Sequence, residues 1–222
     1  MVLVFASNNA HKLAEVRAIM PKGIEVLSLH DIGFEAEIDE TGTTLEENSV
    51  IKAQTVAAFI NDRMSASLND GMMIDGVFAD DTGLEIDALG GKPGVYTARW
   101  AMKGERLKEK GEREIFAANR AKALRELADK DNRACQFRTV ITLIRLEDGT
   151  SCLQDATLQV EGIVRGKIAT EEYGEGGFGY DPIFIPDGYD RTFGELPAEL
   201  KNGISHRARA LQELVKKLKG ER

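Results

Sequence analysis

The sequence predicts an α/β protein whose β-sheet is mixed, with both parallel and antiparallel strands. Strand-like and helical patterns alternate at the start of the chain, as they do in parallel units. Two long β-rich runs follow one another further on, as they do in an antiparallel hairpin. At 222 residues the chain is long enough for one domain or for two closely packed lobes.

The first elements are a strand, a helix, a second strand and a second helix. Residues 2–6 form a continuous apolar run, which is typical of a strand buried on both faces. Apolar residues then recur at helical spacing over residues 13–20, until Pro21. A short strand fits residues 24–29. A helix fits residues 45–60, where Thr44 precedes two glutamates that suit the positive helix end.

The middle of the chain is less regular. Residues 61–76 are rich in Asp, Ser, Asn and Gly, which favours a mobile loop or an irregular hairpin. A short strand at residues 77–79 is expected to end at the acidic residues 80–83, and residues 84–89 form a further β-like run. Residues 113–129 have the pattern of an amphipathic helix.

Two β-rich runs dominate the later part of the chain. Residues 137–146 and 157–164 are separated by Glu-Asp-Gly at 147–149, which predicts a hairpin. A glycine-rich loop follows at residues 174–179. The chain then continues with a predicted strand at residues 182–185 and a final helix at residues 206–219.

Composition and charge exclude several classes of protein. The chain has 29 Lys and Arg against 37 Asp and Glu, a net charge of −8, which argues against binding a nucleic-acid polymer. No apolar run reaches the ~18 residues of a membrane span, and the start of the chain does not have the pattern of a signal peptide. We therefore expect a cytoplasmic protein. Cys135 and Cys152 lack CxxC spacing and are expected to be reduced packing residues.

The polar segment between the first strand and the first helix is placed to bind an anion. Backbone N–H groups and the dipole at a helix start favour negative charge, so a triphosphate would suit this position. The glycines of a Walker A loop are absent, and the same residue types also fit a plain helix cap. The predicted binding segment comprises Ser7, Asn8, Asn9, Ala10, His11 and Lys12.

Acidic residues occur at two places, as Asp-Glu-Thr-Gly at 39–42 and as Asp-Asp-Thr-Gly at 80–83. Carboxylates at a strand end are placed to hold Mg²⁺, which takes oxygen ligands and shares them with substrate phosphates. Of the adjacent pair Asp80 and Asp81, one could bind the metal while the other accepts a proton from the attacking water. A solvated acidic turn is the alternative interpretation.

Two further motifs suit a nucleoside. In Gly-Gly-Phe-Gly-Tyr-Asp-Pro at 176–182, glycines allow close approach of a flat ligand and an aromatic ring offers a stacking face. Ser-His-Arg at 205–207, preceded by Lys201, brings hydrogen-bond donors together. Such donors suit the O6 acceptor of a 6-oxo purine and disfavour the adenine amino group. In isolation, the first motif also fits a structural turn and the second a cap with basic surface residues.

Together and in this order, the four motifs resemble the inosine triphosphatase, or Ham1-like, family. Each motif is weak by itself, but their joint occurrence is specific. The resemblance extends over nearly the whole chain and is carried by residues 7–15, 40–52, 80–100, 176–185 and 201–211.

The resemblance implies Mg²⁺-dependent hydrolysis of inosine, deoxyinosine and xanthosine triphosphates to the monophosphate and pyrophosphate. It implies an elongated mixed sheet with flanking helices, in two lobes around a central cleft, with residues 1–222 forming one functional unit and a homodimer. Glu40 and Asp81 would bind Mg²⁺, and Asp81 would also accept the proton, with Asp80 beside it. Arg99 would lie near the site. Phosphates would be held by Ser7, Asn9, Lys12 and Lys52, and the nucleoside end would be lined by Thr82, Phe178, Gly179, Tyr180, Asp181, Lys201, His206 and Arg207.

The chain departs from the family pattern in two places. Ser7 stands where threonine is commoner, which keeps the hydroxyl group, and residues 61–76 are longer than expected. Two other functions remain open at this point. One is a Maf-like pyrophosphatase for modified or pyrimidine triphosphates, and the other is a nucleotide-binding sensor without catalysis.

Overall fold

The structure, a computed structural model, describes residues 1–65, 73–101, 111–147, 150–151 and 157–220. Most of the hairpin turn predicted at 147–149 lies outside these residues, and so does Cys152. Cys135 lies within them and is a free, buried cysteine, as predicted.

The described residues form eight strands and five α-helices, numbered here in chain order. The strands are β1 Val2–Phe5, β2 Glu25–Leu27, β3 Gly76–Ile86, β4 Lys92–Gly94, β5 Ala134–Glu147, β6 Thr150–Ser151, β7 Thr157–Ile168 and β8 Phe184–Pro186. The helices are α1 Ala10–Ile19, α2 Leu45–Ser65, α3 Glu112–Glu126, α4 Ala198–Ile204 and α5 His206–Leu218.

The sheet is mixed, which confirms the predicted α/β class. Hydrogen-bonded neighbours follow the order β2-β1-β3-β5-β7-β8, with β4 paired to β3 and β6 paired to β5. β1 is parallel to β2 and to β3, with Val4 opposite Leu27 and Val77. The pairs β3–β4, β5–β6 and β7–β8 are antiparallel. The β5–β6 ladder pairs Glu147 with Thr150, so a hairpin does follow β5.

Three local predictions were wrong. The strand expected to end at residues 80–83 instead continues through them to Ile86, and it includes half of the run predicted at 84–89. The other half, Asp87–Leu89, is a 3₁₀ turn. The start of the loop expected at residues 61–76 is helical, because α2 extends to Ser65. Residues 182–185 are split between a 3₁₀ turn, Asp181–Ile183, and β8.

Residue contacts divide the chain into two compact units. Unit 1 consists of residues 1–81, 139–162 and 210–222, and unit 2 consists of residues 82–138 and 163–209. Their segments interleave along the chain, so sequence position alone does not separate them.

The core of unit 1 lies on both faces of β1 and β3. Val4 and Ala6 of β1 and its continuation pack into one cluster with residues of α2, including Ala53 and Val56. Leu3, which points the opposite way because side chains alternate along a strand, belongs to another cluster. That second cluster joins α1 and α5, through Val16, Leu211 and Leu214. The continuous apolar run at residues 2–6 is thus buried on both faces, as predicted.

Unit 2 has its own core, which is rich in aromatic residues. Phe137 lies 4.7 Å from Phe184, centroid to centroid, and Phe184 stacks on Phe193 at 5.1 Å. Ala123 of α3 packs into the same cluster and is fully buried. No helix in the described part of the chain is long and apolar enough to cross a membrane.

Candidate active site

The two adjacent aspartates lie within β3, and their side chains point to opposite faces of the sheet. Side chains alternate along a strand, so Asp80 shares a face with Phe78, and Asp81 shares a face with Ala79. Phe78 belongs to the core cluster that contains α1 and α5, and Ala79 belongs to the cluster that contains α2. Each aspartate therefore faces a different helix.

Asp80 pairs with Lys12 of α1. The Lys12 Nζ donates to Asp80 Oδ1 at 2.8 Å, and the Asp80 side chain is almost fully buried. A buried carboxylate needs such a partner, because an unpaired charge in the interior is costly. The pair fixes Lys12 at the start of α1, beside the segment predicted to bind phosphates.

Asp81 pairs with Lys52 of α2, and Lys52 also binds Glu40. The Lys52 Nζ donates to Asp81 Oδ1 and to Glu40 Oε1, each at 3.0 Å. Lys52 and Asp81 are buried, whereas the Glu40 side chain is 29% exposed. One ammonium group thus joins the two carboxylates that the resemblance assigns to the metal.

Burial and neighbouring charges shift the pKa of both partners. Burial raises the pKa of the Asp81 carboxyl, and the charges of Lys52 and Lys12 offset only part of this effect. Burial would lower the pKa of Lys52, but the three carboxylates around it outweigh burial and raise the pKa. Three carboxylates thus share two ammonium groups. The net charge of this group of five side chains is −1.

Asn48 connects the strand that carries Asp81 with the loop that carries Glu40. This fully buried side chain donates from Nδ2 to Asp81 Oδ2 at 3.3 Å, and its Oδ1 accepts the backbone N–H of Gly42 at 2.8 Å. The loop is also fixed to the start of α2, since the Glu47 carboxylate accepts from the Thr43 N–H at 2.6 Å. This bond and others to the loop lower the pKa of Glu47.

The predicted phosphate segment lies between β1 and α1, as the sequence indicates. Asn9 is the N-cap of α1, and its side chain accepts from the Lys12 N–H at 3.0 Å. Ser7 Oγ accepts the Asn9 N–H at 3.3 Å, while Asn8, Ala10 and His11 are exposed. The first turn of α1 contains no acidic residue, so its positive end keeps its attraction for an anion.

The nucleoside motifs lie in unit 2, where Lys201 links them. Lys201 Nζ donates to Asp181 Oδ2 at 2.7 Å, and the same oxygen accepts the Phe178 N–H at 2.7 Å. The ammonium group also lies 5.1 Å from the Phe178 ring centroid. A Cβ added at Gly177, where φ is +73°, would clash with the Asp181 carboxylate. Glycine is thus required for the turn that presents Phe178.

Arg207 and His206 start α5 and are buried. The Arg207 guanidinium lies 5.9 Å from the Phe178 ring centroid, and the His206 ring stacks on Phe137 at 4.8 Å. Tyr180 belongs to the unit 2 core, where its hydroxyl donates to the Thr97 carbonyl at 3.1 Å and burial raises its pKa.

Thr82 was predicted to line the nucleoside end, and Arg99 was predicted to lie near the site. Thr82 follows Asp81 in β3 and is half-buried. The Arg99 guanidinium lies 5.6 Å from the centroid of the Tyr96 ring, which is exposed.

The sequence analysis missed Arg120, which contacts the nucleoside loop from α3. Its Nη1 donates to the Gly179 carbonyl at 2.9 Å, and its Nε lies 2.9 Å from Glu172 Oε2 as an ion pair without a well-aligned hydrogen bond. One turn earlier, the Phe116 ring lies 6.0 Å from the Phe178 ring, centroid to centroid. In the sequence, this contact is indicated locally only by the spacing of Phe116 and Arg120, four residues apart on one helix face.

A family model described as the Ham1 family matches residues 3–217 of this chain. The chain belongs to the Ham1 family. A relative in Bacillus subtilis, named dITP/XTP pyrophosphatase, is 43% identical over 218 residues, which cover 97% of this chain and 96% of the relative. A relative of the same name in Flavobacterium johnsoniae is 41% identical over 215 residues, which cover 97% of this chain and 96% of the relative.

Solved structures of Ham1 proteins agree with this assignment. The Staphylococcus aureus Ham1 protein superposes with a TM-score of 0.77 at 35% identity, over 100% of both chains. A Ham1 protein from Coxiella burnetii also gives a TM-score of 0.77, at 34% identity, over 99% of both chains. Membership of the Ham1 family replaces the Maf-like alternative, and the inosine triphosphatase-like fold class is confirmed.

The acidic residues fit a metal that shares its ligands with a substrate. Among the residues that the structure describes, no group of three or more His, Cys, Asp or Glu side chains could hold a metal ion. Glu40 and Asp81 nevertheless both accept a hydrogen bond from the Lys52 ammonium, so the two carboxylates are close enough to share one positive charge. Mg²⁺ is commonly bound by one or two carboxylates together with substrate phosphates and water. The donor set therefore fits Mg²⁺ in the presence of a triphosphate.

Proposed function

We propose that this chain hydrolyses the triphosphates of deaminated purines, namely dITP, ITP and XTP, to the monophosphate and pyrophosphate. The observation that carries the proposal is the group formed by Glu40, Lys52 and Asp81, in which carboxylates and an ammonium meet in a partly buried site. Such a group suits a substrate that is both phosphorylated and metal-bound. The names of the full-length relatives support the choice of substrate.

The triphosphate end would be held in unit 1. Lys12 and Lys52 supply positive charge that offsets the charge developing on the phosphates, and Ser7 and Asn9 supply hydrogen bonds at the start of α1. Glu40 and Asp81 would hold Mg²⁺. When bound, the metal would supply Lewis-acid stabilisation of phosphate charge and would lower the pKa of the attacking water.

Asp81 is our candidate for the proton acceptor. Hydrolysis adds one water across the α–β phosphoanhydride, so a proton must leave the water as its oxygen bonds to phosphorus. Burial raises the pKa of Asp81, which makes this carboxylate a better base than an exposed one. Asp80 is held by Lys12 on the other face of β3, so we assign it the role of orienting Lys12.

The base would be recognised by unit 2. The Phe178 ring offers a stacking face, and the cationic groups of Lys201 and Arg207 lie near that ring. Donors such as these suit the O6 acceptor of hypoxanthine or xanthine. An adenine amino group would leave them unpaired, at a cost of about 1–3 kcal/mol per group.

Four further expectations from the sequence belong to this proposal. Residues 1–222 would act as one functional unit, the protein would form a homodimer, and it would work in the cytoplasm, where the nucleotide pool is. It would bind neither a nucleic-acid polymer nor a membrane, in keeping with its net charge of −8.

Product analysis tests the reaction. Incubation with dITP and Mg²⁺ should yield equal amounts of dIMP and pyrophosphate, measured by ³¹P NMR, and EDTA should abolish the yield. Release of orthophosphate in place of pyrophosphate would contradict cleavage between the α- and β-phosphates. Tight binding of dITP without either product would instead favour the sensor alternative.

A further inference from the structure

We propose that Asn48 is a positioning residue that fixes Asp81 and the loop of Glu40 relative to each other. The inference rests on the proposed function, because it concerns the same two carboxylates. It goes beyond that proposal, which gives Asn48 no part. Asn48 of α2 bonds to both the Asp81 carboxylate and the Gly42 backbone, and it is fully buried.

The hydrogen bonds of Asn48 define which way its amide points. The Gly42 N–H is a donor, so it must meet the amide oxygen, which accepts it at 2.8 Å. The amide nitrogen then faces Asp81 Oδ2 at 3.3 Å and can only donate to it. One side chain thus satisfies a backbone donor on the loop and a carboxylate acceptor on β3.

The contact with Gly42 is close enough to constrain the loop. A Cβ added at Gly42 would lie 2.7 Å from Asn48 Oδ1 and 2.7 Å from the Glu47 Cβ, so only glycine allows this approach. Glu40 lies two residues before Gly42. Fixing the Gly42 backbone therefore limits where the Glu40 carboxylate can lie.

Asn48 and Lys52 act on different oxygens of Asp81. Lys52 contacts Oδ1, and Asn48 contacts Oδ2, so together they orient the carboxylate. Lys52 is also assigned to the phosphates and is expected to exchange partners when substrate binds. Asn48 is a neutral, buried amide with no such second role, so it can keep Asp81 oriented throughout the reaction.

The variant Asn48→Ala distinguishes a role in positioning Asp81 and Glu40 from a role in the stability of the fold alone. Removing a residue that orients a metal ligand typically lowers the metal affinity or the activity of the protein by about 10–100-fold. We expect kcat for dITP to fall within that range, with a smaller change in KM, and Mn²⁺ binding without nucleotide, measured by electron paramagnetic resonance, to weaken by at least ~10-fold.

Ser49→Ala is the matched control. Ser49 is the next residue of α2 and is fully buried. Its hydroxyl bonds to Thr142 at 2.7 Å and donates to the Glu46 carbonyl at 2.9 Å, away from Asp81 and Gly42. We expect it to lower Tm by an amount similar to Asn48→Ala while leaving kcat and Mn²⁺ affinity within about twofold of wild type. If Asn48→Ala does not fold, Asn48→Leu, which keeps the branched shape of the side chain without its hydrogen-bonding atoms, is measured in its place.

The outcomes distinguish this inference from the proposed function. If wild type does not hydrolyse dITP, the proposed function fails, and the Mn²⁺ comparison alone tests Asn48. Equal effects of Asn48→Ala and Ser49→Ala on Mn²⁺ affinity and kcat would overturn the inference, and so would a loss of Tm with kcat and Mn²⁺ affinity unchanged.

Discussion

Replacing Lys52 by methionine tests the electrostatic account of unit 1. The substitution keeps much of the side-chain length but removes the ammonium group that binds Asp81 and Glu40 at 3.0 Å each. Asp81 then keeps its burial and loses its nearest positive charge. The variant should therefore unfold more easily in the absence of metal.

The magnitude follows from the burial of each partner. Removing one partner of a buried ion pair typically costs 3–5 kcal/mol, because it leaves an uncompensated charge. The Glu40 side chain is 29% exposed and can be hydrated again, and the charge of Lys12 still acts on Asp81. We therefore expect a loss of stability near the lower end of this range. A loss of about 3 kcal/mol corresponds to a decrease in Tm of roughly 6–12 °C for a chain of this size.

Urea denaturation with and without Mg²⁺ is the assay. Mg²⁺ should stabilise Lys52→Met more than wild type, because the metal supplies the missing positive charge; at about ten times its dissociation constant it returns about 1.4 kcal/mol. Lys216→Met is the control, since Lys216 pairs with Glu213 at 2.6 Å on the surface, where both side chains are about half exposed. That change should cost no more than about 1 kcal/mol. Equal free energies of unfolding for the two variants would refute the reasoning.

Three further predictions follow from single contacts. Asp81→Asn should lower kcat at least ~100-fold while the far-ultraviolet circular dichroism spectrum stays that of wild type, and near-full activity would exclude Asp81 as the base. Arg120→Ala removes the bond to the Gly179 carbonyl and should raise KM for dITP about tenfold, with a smaller effect on kcat. Arg120→Lys should restore part of this loss. An unchanged KM would contradict a positioning role for Arg120. Burial raises the pKa of the Cys135 thiol, so a smaller fraction is thiolate at a given pH. In a Cys152→Ser background, iodoacetamide at pH 8 should modify Cys135 only after unfolding. Rapid labelling of the native protein would show that Cys135 is not buried.

The sequence predicted the elements whose hydrophobic pattern is strong. β1 is buried on both faces because all its residues are apolar, and the helices predicted at 113–129 and 206–219 occur as Glu112–Glu126 and His206–Leu218. The order of the four motifs was sufficient to identify the family. These signals are local, or they repeat a pattern shared with relatives.

The errors have a common cause, since tertiary contacts overrode local composition. Asp80 and Asp81 looked like a turn, but they continue a buried strand because lysines 68 and 29 positions away neutralise them. The polar end of α2 looked like a loop, but Arg63 there donates to the Ile32 carbonyl and lies over the Phe59 ring. No local pattern contains such partners.

Candidate site residues could be chosen from the sequence by residue type, but their arrangement could not be predicted. The sequence placed Asp80 and Asp81 side by side as cooperating carboxylates, whereas strand alternation directs them to different helices. The sequence analysis assigned no role to Asn48 or to Arg120. Both contact backbone groups of segments that are distant in the sequence, and residue types alone do not identify such partners.

The rate of pyrophosphate release from dITP and XTP, compared with dATP and ATP under the same Mg²⁺ concentration, tests the central claim most directly. The account predicts that kcat/KM for the first two exceeds that for the adenine nucleotides at least ~100-fold, because the donors near Phe178 suit a 6-oxo group. Equal kcat/KM values for dITP and dATP would contradict it.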